Sequence, residues 1–271
     1  MTDKPPQNSD FVQSLERGLA VIRAFDAENR ELALSEVARS TGLTRAAARR
    51  FLLTLVKLGY VNFSQGRFSL RPRVLELGYA YLSSLSLPEV ALPHMESLVA
   101  QVNESCSISV LDDTDVVYVA RVPTRRIMSI TLAVGTRLPA FVTSMGRVLL
   151  AGLPDEDLKE RLSRIEIVPL TPRTVKDKEA LRTILASVRR QGYAATDQEL
   201  EEGLRSLAVP LRGPSGTVTA ALNLSVHASR ATMAVLRRDF LPLALRTAVA
   251  IEEDLRGTGD RRGGSFALPQ P

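Results

Sequence analysis

The sequence predicts a two-domain α+β protein: an N-terminal winged helix-turn-helix, a linker helix, and a C-terminal domain of mixed strands and helices. Its 271 residues are enough for two domains that each bury a core. The first 75 residues combine helical periodicity with the whole excess of positive charge, 12 basic against 7 acidic side chains. Strand-like alternation starts after Ser105 and is then interspersed with amphipathic helices, which is typical of a mixed domain.

The chain divides into five predicted segments, and we expect both ends to be disordered. The polar N-terminus has no apolar stretch that a signal peptide needs, and the C-terminal tail is rich in Gly, Arg and Pro. No apolar run is long enough to span a membrane, so we predict a cytoplasmic protein without a membrane partner. The segments are a disordered N-terminus (1–11), the winged helix-turn-helix (12–71), the linker helix (72–88), the C-terminal domain (89–256) and a disordered tail (257–271).

Two helices are predicted at the start of the first domain. The first begins at Ser14, an N-cap candidate, and runs to about Ala27. The second is short, begins at Ser35, a further N-cap candidate, and ends at Gly42, which tolerates the left-handed conformation. The apolar face of the first helix consists of Leu15, Leu19, Ile22 and Phe25.

The third predicted helix, Arg45 to Leu58, is the candidate recognition helix. Thr44 is its N-cap, Gly59 ends it, and the short turn before it completes a helix-turn-helix. In this motif the N-terminal end of the second helix meets the base edges. At this end lie two small residues that permit close approach and three arginines that can reach bases or phosphates, namely Arg45, Ala46, Ala47, Arg49 and Arg50.

A β-hairpin follows, with strands at residues 60–63 and 67–70 and a turn between them, which is the wing of a winged helix. Residues 35–73 carry eight basic side chains and a single acid, Glu36. Charge alone is as compatible with a solvated basic face as with a polyanion site. Charge, spacing and wing together favour double-stranded DNA. The predicted DNA-binding residues are Ser14, Arg17, Ser35, Thr44, Arg45, Ala46, Arg49, Arg50 and Arg67.

The linker helix starts at Arg71-Pro72 and ends near Pro88. We predict that its apolar residues form a homodimer interface, because two-fold symmetric regulators read paired half-sites. These residues are Leu75, Leu77, Tyr79 and Leu82.

The C-terminal domain is predicted to contain strands, then helices, then strands again, closed by a long helix. The predicted strands are Cys106–Leu111, Val116–Ala120, Ile127–Val134, Leu207–Leu211 and Thr217–Val226, and the predicted helices are Thr143–Leu153, Glu156–Arg164, Lys178–Gln191 and Arg230–Leu255.

The sequence offers little catalytic chemistry, so we predict no enzyme activity, no metal and no cofactor. The chain has two histidines, His94 and His227, and no motif of a metalloprotease, a serine hydrolase or a phosphate-binding loop. Cys106, the single cysteine, lies in an apolar strand and is interpreted as a buried structural thiol. An acidic run from Asp197 to Glu202 is interpreted as a solvated loop, with Asp197 able to point inward.

Several motifs together resemble the IclR family of bacterial transcription regulators. They are the stretches Ser14–Leu19, Gly135–Pro139, Thr143–Ala151 and Gly203–Pro210. The resemblance covers about residues 12–255 and implies a GAF-like effector-binding domain, dimers or dimers of dimers, and DNA binding controlled by a small metabolite. Within the family, Val119–Val122 and Arg125–Met128 look like the branch that governs protocatechuate and hydroxybenzoate degradation.

The resemblance also implies an effector pocket, formed by Ser144, Met145, Leu204, Ser206, Asn223 and Ser225. Backbone N–H groups at the helix start around Ser144 suit an anion, and Asn223 and Ser225 share one face of a strand. We add Asp197, Phe141 as apolar cover for a ring, and Arg137, which suits a carboxylate contact or a structural salt bridge. Family members with small-acid effectors have small residues at Ser144 and Met145 and serine at Asn223, so the departures in this sequence disfavour a very small effector.

The sequence thus predicts a DNA-binding transcription regulator controlled by a small organic acid, either aromatic or a ring-cleavage product. The alternative is a cytosolic small-molecule sensor or enzyme that uses the basic module for assembly.

Overall fold

The computed structural model describes residues 11–78, 87–124, 132–213 and 215–262, the last six of these by their backbone alone. The chain divides into two compact units, residues 1–84 and 85–271, which we describe separately.

The N-terminal unit contains a helix-turn-helix and a three-stranded wing. Its helices are α1 (Gln13–Arg23), α2 (Leu34–Thr41) and α3 (Arg45–Leu58), and its strands are β1 (Glu31–Ala33), β2 (Val61–Ser64) and β3 (Arg67–Leu70). The antiparallel strands have the order β1-β3-β2. Their shared core includes Val21, Val37, Ala48, Leu52, Val61 and Phe68. The winged helix predicted from sequence is therefore confirmed, and strand β1 is an addition to it.

The recognition helix and the wing agree closely with the prediction. Thr44 caps α3 by accepting a hydrogen bond from the Ala47 N–H at 3.2 Å, and Gly59 ends the helix in the left-handed conformation. The wing turns at Gln65 and Gly66, which both have positive φ, as a two-residue hairpin turn requires. Phe63 and Phe68 pair their rings across the hairpin, with centroids 4.5 Å apart.

The two serine N-caps predicted for α1 and α2 are wrong. Ser14 lies inside α1, which begins one residue earlier with Val12 at the N-cap position and no side-chain cap. Ser35 lies inside α2, and the Glu36 carboxylate accepts the Ala33 N–H at 2.7 Å in place of a serine hydroxyl. A carboxylate at the third helical position accepts the N–H of the N-cap residue itself, so this helix start is stabilised without a serine N-cap and lies one residue earlier than predicted.

Helix α1 also differs from the prediction in its length and its orientation. It ends at Arg23 instead of about Ala27, and the buried residue is Val21. Leu15 and Leu19 are 63% and 46% exposed, so the front of the predicted apolar face is uncovered. Periodicity revealed the apolar stripe but did not show that the N-terminal unit leaves it unburied.

After the wing, a 3-10 turn at Pro72–Val74 leads into helical backbone at residues 75–78. Leu75 and Leu77 are exposed there. The rest of the predicted linker helix, with Tyr79 and Leu82, lies largely outside the described residues.

The C-terminal unit is an antiparallel sheet between two helical layers. Its strands are β4 (Ser105–Asp112), β5 (Asp115–Val122), β6 (Arg137–Pro139), β7 (Ala194–Asp197), β8 (Leu204–Arg212) and β9 (Val218–His227), in the order β6-β5-β4-β9-β8-β7. Its helices are α4 (Leu87–Val102), α5 (Ser144–Ala151), α6 (Asp155–Arg164), α7 (Lys178–Gln191) and α8 (Leu241–Arg262). The predicted α+β class is confirmed.

Each face of this sheet has its own core. Helices α4 and α8 cover one face, where Cys106, Ile108 and Leu222 are buried. Helices α5, α6 and α7 cover the other face, together with the 3-10 turn Ala140–Val142. The buried thiol predicted at Cys106 is confirmed, and burial raises its pKa to about 12.

Several C-terminal elements were missed or lie elsewhere than predicted. Helix α4 and the short strands β6 and β7 were not predicted, because α4 contains Pro93 and the two strands are three and four residues long. Residues 132–134 are not a strand, and the rest of the predicted strand Ile127–Val134 lies outside the described residues. The predicted final helix Arg230–Leu255 is divided, because Met233–Val235 form a short helical turn and Leu236–Phe240 are π-helical before α8 begins at Leu241. Helix α8 continues to Arg262, so the disordered tail predicted from residue 257 is wrong for its first six residues. In the described ranges, no helix has the length and apolarity needed to cross a bilayer.

Candidate functional site

The exposed surface of the N-terminal unit presents the predicted reading end of α3. Arg45, Ala46, Arg49 and Arg50 are exposed, while Ala48 and Leu52 turn into the core. Burial thus divides the helix into a packing face and a basic face. Ser14, Arg17, Ser35 and Thr44 lie on the same unit with their side chains fully or partly accessible.

Arg67 of the wing does not stand alone, because its guanidinium lies 3.4 Å from the Glu36 carboxylate. Both side chains are more than one-third exposed, so the pair contributes little to stability. Glu36 thus both caps α2 and orients the wing arginine.

A polar pocket lies in the C-terminal unit, between the sheet and the N-terminal end of α5. It is lined by Tyr118, Arg121, Leu132, Val142, Thr143, Ser144, Met145, Thr196, Leu200, Leu204, Ser206, Asn223 and Ser225. The free space is about 20 Å³, which is room for about one water molecule.

Two rows of polar side chains cross the sheet face beneath this pocket. In the first row, Ser107 of β4 lies directly opposite Arg121 of β5 on one side and Asn223 of β9 on the other. In the second row, Ser206 of β8 lies between Ser225 and Thr196. Adjacent strands therefore bring together residues that are up to about one hundred positions apart in the chain.

Hydroxyl groups connect the second row to the start of α5. Thr196 and Ser206 share a hydrogen bond at 2.8 Å, and Ser206 donates to the Ser144 hydroxyl at 2.8 Å. Thr143 caps α5 by accepting the Gly146 N–H at 3.0 Å. The backbone N–H groups of Ser144 and Met145, in the first turn, have no intrahelical acceptor, so the positive end of the helix dipole points at the pocket.

Arg121 is the cation of this pocket. One of its nitrogens donates to the Ser107 hydroxyl at 3.2 Å, and within the described ranges no carboxylate lies within ion-pair distance of it. Partial burial lowers the pKa of the guanidinium, opposed by Tyr118 and Cys106. A half-buried cation without a carboxylate partner favours an incoming anion.

Asn223 supplies an unused acceptor in the same pocket. The side chain is 3% exposed, and its Nδ2 donates to the Ser225 hydroxyl at 2.9 Å. Its Oδ1 accepts no hydrogen bond within the described part of the chain. A buried acceptor without a donor is costly, so this atom favours a ligand that brings a hydrogen-bond donor.

Tyr118 is a second residue of this pocket. Burial raises the pKa of its hydroxyl to about 12, which keeps the side chain neutral.

Six of the nine side chains expected in an effector pocket line this one cavity. They are Ser144, Met145, Leu204, Ser206, Asn223 and Ser225. The other three do not line this cavity. Arg137 is engaged by Asp112 and Asp115 on β4 and β5, Phe141 lines a separate cleft beside Arg164, and Asp197 bonds to Arg173 and Arg205.

The acidic run from Asp197 to Glu202 is not the solvated loop that was expected. Glu199 forms a buried ion pair with Arg147 on α5, and Asp197 links two arginines.

Within the residues that the structure covers, no group of three His, Cys, Asp or Glu side chains is placed to hold a metal ion.

Sequence reasoning missed Arg121 and Tyr118, which a β-bulge brings to the same face of the sheet. Strict alternation along β5 puts these two residues on opposite faces. The register shifts where Ser109 pairs with Tyr118 while Ile108 pairs with Ala120, so Val119 is the extra residue. The bulge returns Arg121 to the face of Tyr118. The available signal was a charged residue inside an otherwise apolar strand.

Comparison with known proteins places the chain in a family. The model of the IclR C-terminal domain of bacterial transcriptional regulators matches residues 79–253, and that of the IclR helix-turn-helix domain matches residues 14–64. The chain is 46% identical over 237 residues to the Pca regulon regulatory protein of Pseudomonas putida, covering 87% of this chain and 81% of the relative.

Two further relatives point to the same branch. The chain is 38% identical over 247 residues to the p-hydroxybenzoate hydroxylase transcriptional activator of Acinetobacter baylyi, covering 89% of this chain and 91% of that protein. An IclR homolog from Microbacterium hydrocarbonoxydans, crystallised with 4-hydroxybenzoate, has 31% identity and a TM-score of 0.79, covering 90% of this chain and 99% of that one. The chain therefore belongs to the IclR family of DNA-binding transcription regulators, and it resembles the protocatechuate/hydroxybenzoate branch of that family.

Proposed function

We propose that the effector of this regulator is an aromatic acid with a ring hydroxyl, held between Arg121 and Asn223. One observation carries the proposal: a single pocket contains a cation without a carboxylate partner and a buried acceptor without a donor among the described residues. A hydroxybenzoate supplies both missing groups, since its carboxylate pairs with the guanidinium and its hydroxyl donates to Asn223 Oδ1.

The two groups lie on strands two apart, which corresponds to about 10 Å between the Cα atoms of Arg121 and Asn223. The guanidinium reaches Ser107 on the strand between them, so a ring that joins the two groups lies over Ser107 on this face of the sheet. The N–H groups at the start of α5 add a favourable potential for the carboxylate.

A ligand of this size must widen the pocket, because the free space of about 20 Å³ holds about one water molecule. Apolar side chains at the rim, Leu132, Leu200 and Leu204, are only partly buried and can change rotamer. The Microbacterium homolog, which was crystallised as a complex with 4-hydroxybenzoate, supports this class of effector.

We predict that 4-hydroxybenzoate binds more tightly than benzoate, and that Asn223→Leu abolishes this preference. Leaving a buried acceptor unpaired costs about 1–3 kcal/mol, which corresponds to roughly 5- to 150-fold in Kd. Isothermal titration calorimetry of both proteins with both acids measures the ratio of the two Kd values. A variant that keeps the wild-type ratio would show that Asn223 does not meet the hydroxyl.

For DNA, we propose that the exposed N-terminal end of α3 contacts the bases and the wing contacts phosphates. The proposed contact residues are Ser14, Arg17, Ser35, Thr44, Arg45, Ala46, Arg49, Arg50 and Arg67. Support comes from the accessibility of these side chains and from the burial of the opposite face of α3. Exposed apolar residues of the same unit, Leu15, Leu19, Leu75 and Leu77, support a homodimer or a dimer of dimers.

We predict that Arg45→Ala and Arg49→Ala weaken operator binding, each by about 1–3 kcal/mol where the side chain reads a guanine. The exposed Arg246→Ala on α8 is the matched control and leaves the affinity unchanged. Arg67→Ala weakens binding to all sequences alike and lowers the salt dependence, as expected for a phosphate contact.

Fluorescence anisotropy with specific and scrambled duplexes at several salt concentrations makes these measurements. The same titrations give the number of chains bound to each duplex. This number tests the predicted dimer, which requires at least two chains on each operator. Unchanged affinity of both α3 variants would contradict the assignment of the reading helix.

A further inference from the structure

Arg147 and Glu199 form an ion pair of low exposure next in the chain to residues that line the pocket. The side chains are 2% and 14% exposed, and the guanidinium donates to both carboxylate oxygens, at 2.7 and 2.5 Å. Arg147 lies on α5, two residues after Met145, and Glu199 immediately precedes Leu200. Each partner is therefore close in sequence to a residue that lines the pocket.

The same guanidinium also holds a third pocket segment. Its Nε donates to the Phe141 carbonyl at 2.9 Å, and the next residue, Val142, lines the pocket. One buried side chain thus ties together the 3-10 turn, the start of α5 and the segment that contains Leu200.

Two threonines fix the backbone of the segment from the other side. Thr171 donates to the Gln198 carbonyl at 2.7 Å, and Thr174 donates to the Glu199 carbonyl at 2.7 Å. Gln198 has a positive φ of 62°, which is uncommon for a residue other than glycine and persists where the surroundings impose it. The position of Leu200 is therefore set by an ion pair on one side and by threonine hydroxyls on the other.

A role in stability alone does not account for a buried ion pair. Removing both charges from water is costly, and well-packed apolar residues in the same place are often as stable. What apolar residues lack is directional geometry, which a bidentate guanidinium–carboxylate pair supplies.

We propose that Arg147 and Glu199 are positioning residues that hold the Leu200 wall against α5 and thereby set which acids the pocket accepts. The proposal rests on the proposed function, because it takes this pocket to be the effector site. It assigns the pair a role in ligand selectivity in addition to its role in packing.

The test uses the full-length chain and two variants. Glu199→Gln keeps the shape of the side chain and removes its charge. The double variant Arg147→Met/Glu199→Leu removes both charges, so no uncompensated charge remains and the domain stays folded. Leu98→Ala, on α4 at the opposite face of the sheet, is the control for a loss of stability that leaves the pocket wall in place.

The first measurement is hydrogen exchange of the ligand-free proteins. The Gln198 N–H donates to the Leu204 carbonyl at 2.8 Å and the Gly203 N–H donates to the Gln198 side chain at 3.0 Å, so both amides report on the segment. We expect exchange at residues 198–204 to be about tenfold faster in both variants, through local opening, and unchanged in Leu98→Ala after correction for global stability.

The second measurement is calorimetry with 4-hydroxybenzoate and the bulkier 6-hydroxy-2-naphthoate. If the Leu200 wall is ordered about one-tenth of the time in a variant, only that fraction of the protein binds 4-hydroxybenzoate, so the apparent Kd rises about tenfold. We expect the Kd of the naphthoate to rise less than that of 4-hydroxybenzoate. The two Kd values therefore come closer together in the variants, and their ratio stays at the wild-type value in Leu98→Ala.

Unchanged exchange and an unchanged Kd ratio in the folded double variant would overturn the proposal. Exchange that accelerates across the whole domain would also overturn it, because the pair would then act only on stability. If the wild-type chain binds neither acid, the proposed effector class is wrong, and the exchange at residues 198–204 by itself decides whether the pair positions the wall.

Discussion

Replacing Arg121 with methionine is expected to abolish the binding of aromatic acids while leaving the C-terminal domain folded. Within the described ranges the guanidinium has no carboxylate partner, so the fold does not depend on it for charge compensation. An effector carboxylate bound in the pocket, in contrast, needs the Arg121 guanidinium to compensate its charge. Losing one partner of a buried charge pair costs about 2–5 kcal/mol, so we expect Kd to rise at least roughly 30-fold.

Arg137→Met is the matched control for this experiment. Arg137 is a second arginine of the same sheet, but its side chain is half-exposed and paired with Asp112 and Asp115. Calorimetry with 4-hydroxybenzoate should show near wild-type affinity for this control, and thermal unfolding of ligand-free Arg121→Met should match that of wild type. If Arg121→Met binds normally and Arg137→Met does not, the carboxylate site lies at the edge of the sheet instead.

Gly146→Ala is expected to unfold the C-terminal domain or to destabilise it by more than about 3 kcal/mol. A Cβ atom at this position would lie 2.1 Å from the Ala140 carbonyl oxygen and 2.3 Å from the Ala140 Cα. These are backbone atoms and cannot rotate away, so α5 and the 3-10 turn would have to separate. The same close approach brings Thr143, Ser144 and Met145 to the pocket.

Gly18→Ala in α1 provides a matched comparison. The nearest atom to its added Cβ is Phe51 Cδ1 at 3.9 Å, an ordinary contact, and alanine favours the helix by about 1 kcal/mol over glycine. Urea unfolding followed by circular dichroism compares the two variants with wild type. A Gly146→Ala protein with wild-type stability would mean that α5 can move away from residue 140 at little cost.

The features that could be predicted from sequence are those that depend on neighbouring residues. Thr44, Gly42 and Gly59 mark the ends of α2 and α3, because N-capping hydroxyls and left-handed glycines act within one turn. Helix ends are nevertheless predicted only to within a residue or so, because several nearby side chains can cap the same turn. At α2 the Glu36 carboxylate caps the helix instead of the expected serine, and the start lies one residue earlier. The exposed Leu15 and Leu19 show that an apolar stripe does not identify what covers it.

By itself, the sequence determined the two-domain organisation and the recognition helix, since both follow from local periodicity and capping. The six predicted residues that line the pocket follow instead from the resemblance of the sequence motifs to the IclR family. Tertiary structure alone decided that Arg121 lies in the pocket, because a bulge in β5 changes which side chains share a face. It also decided that Arg137 does not, because this residue lies on edge strand β6 and pairs with Asp112 and Asp115. It also decided that Asn223 Oδ1 lacks a donor among the described residues and that Arg147 meets Glu199, 52 residues away. These outcomes depend on strand register and on contacts between segments far apart in the chain, and neither is encoded in the pattern of adjacent residues.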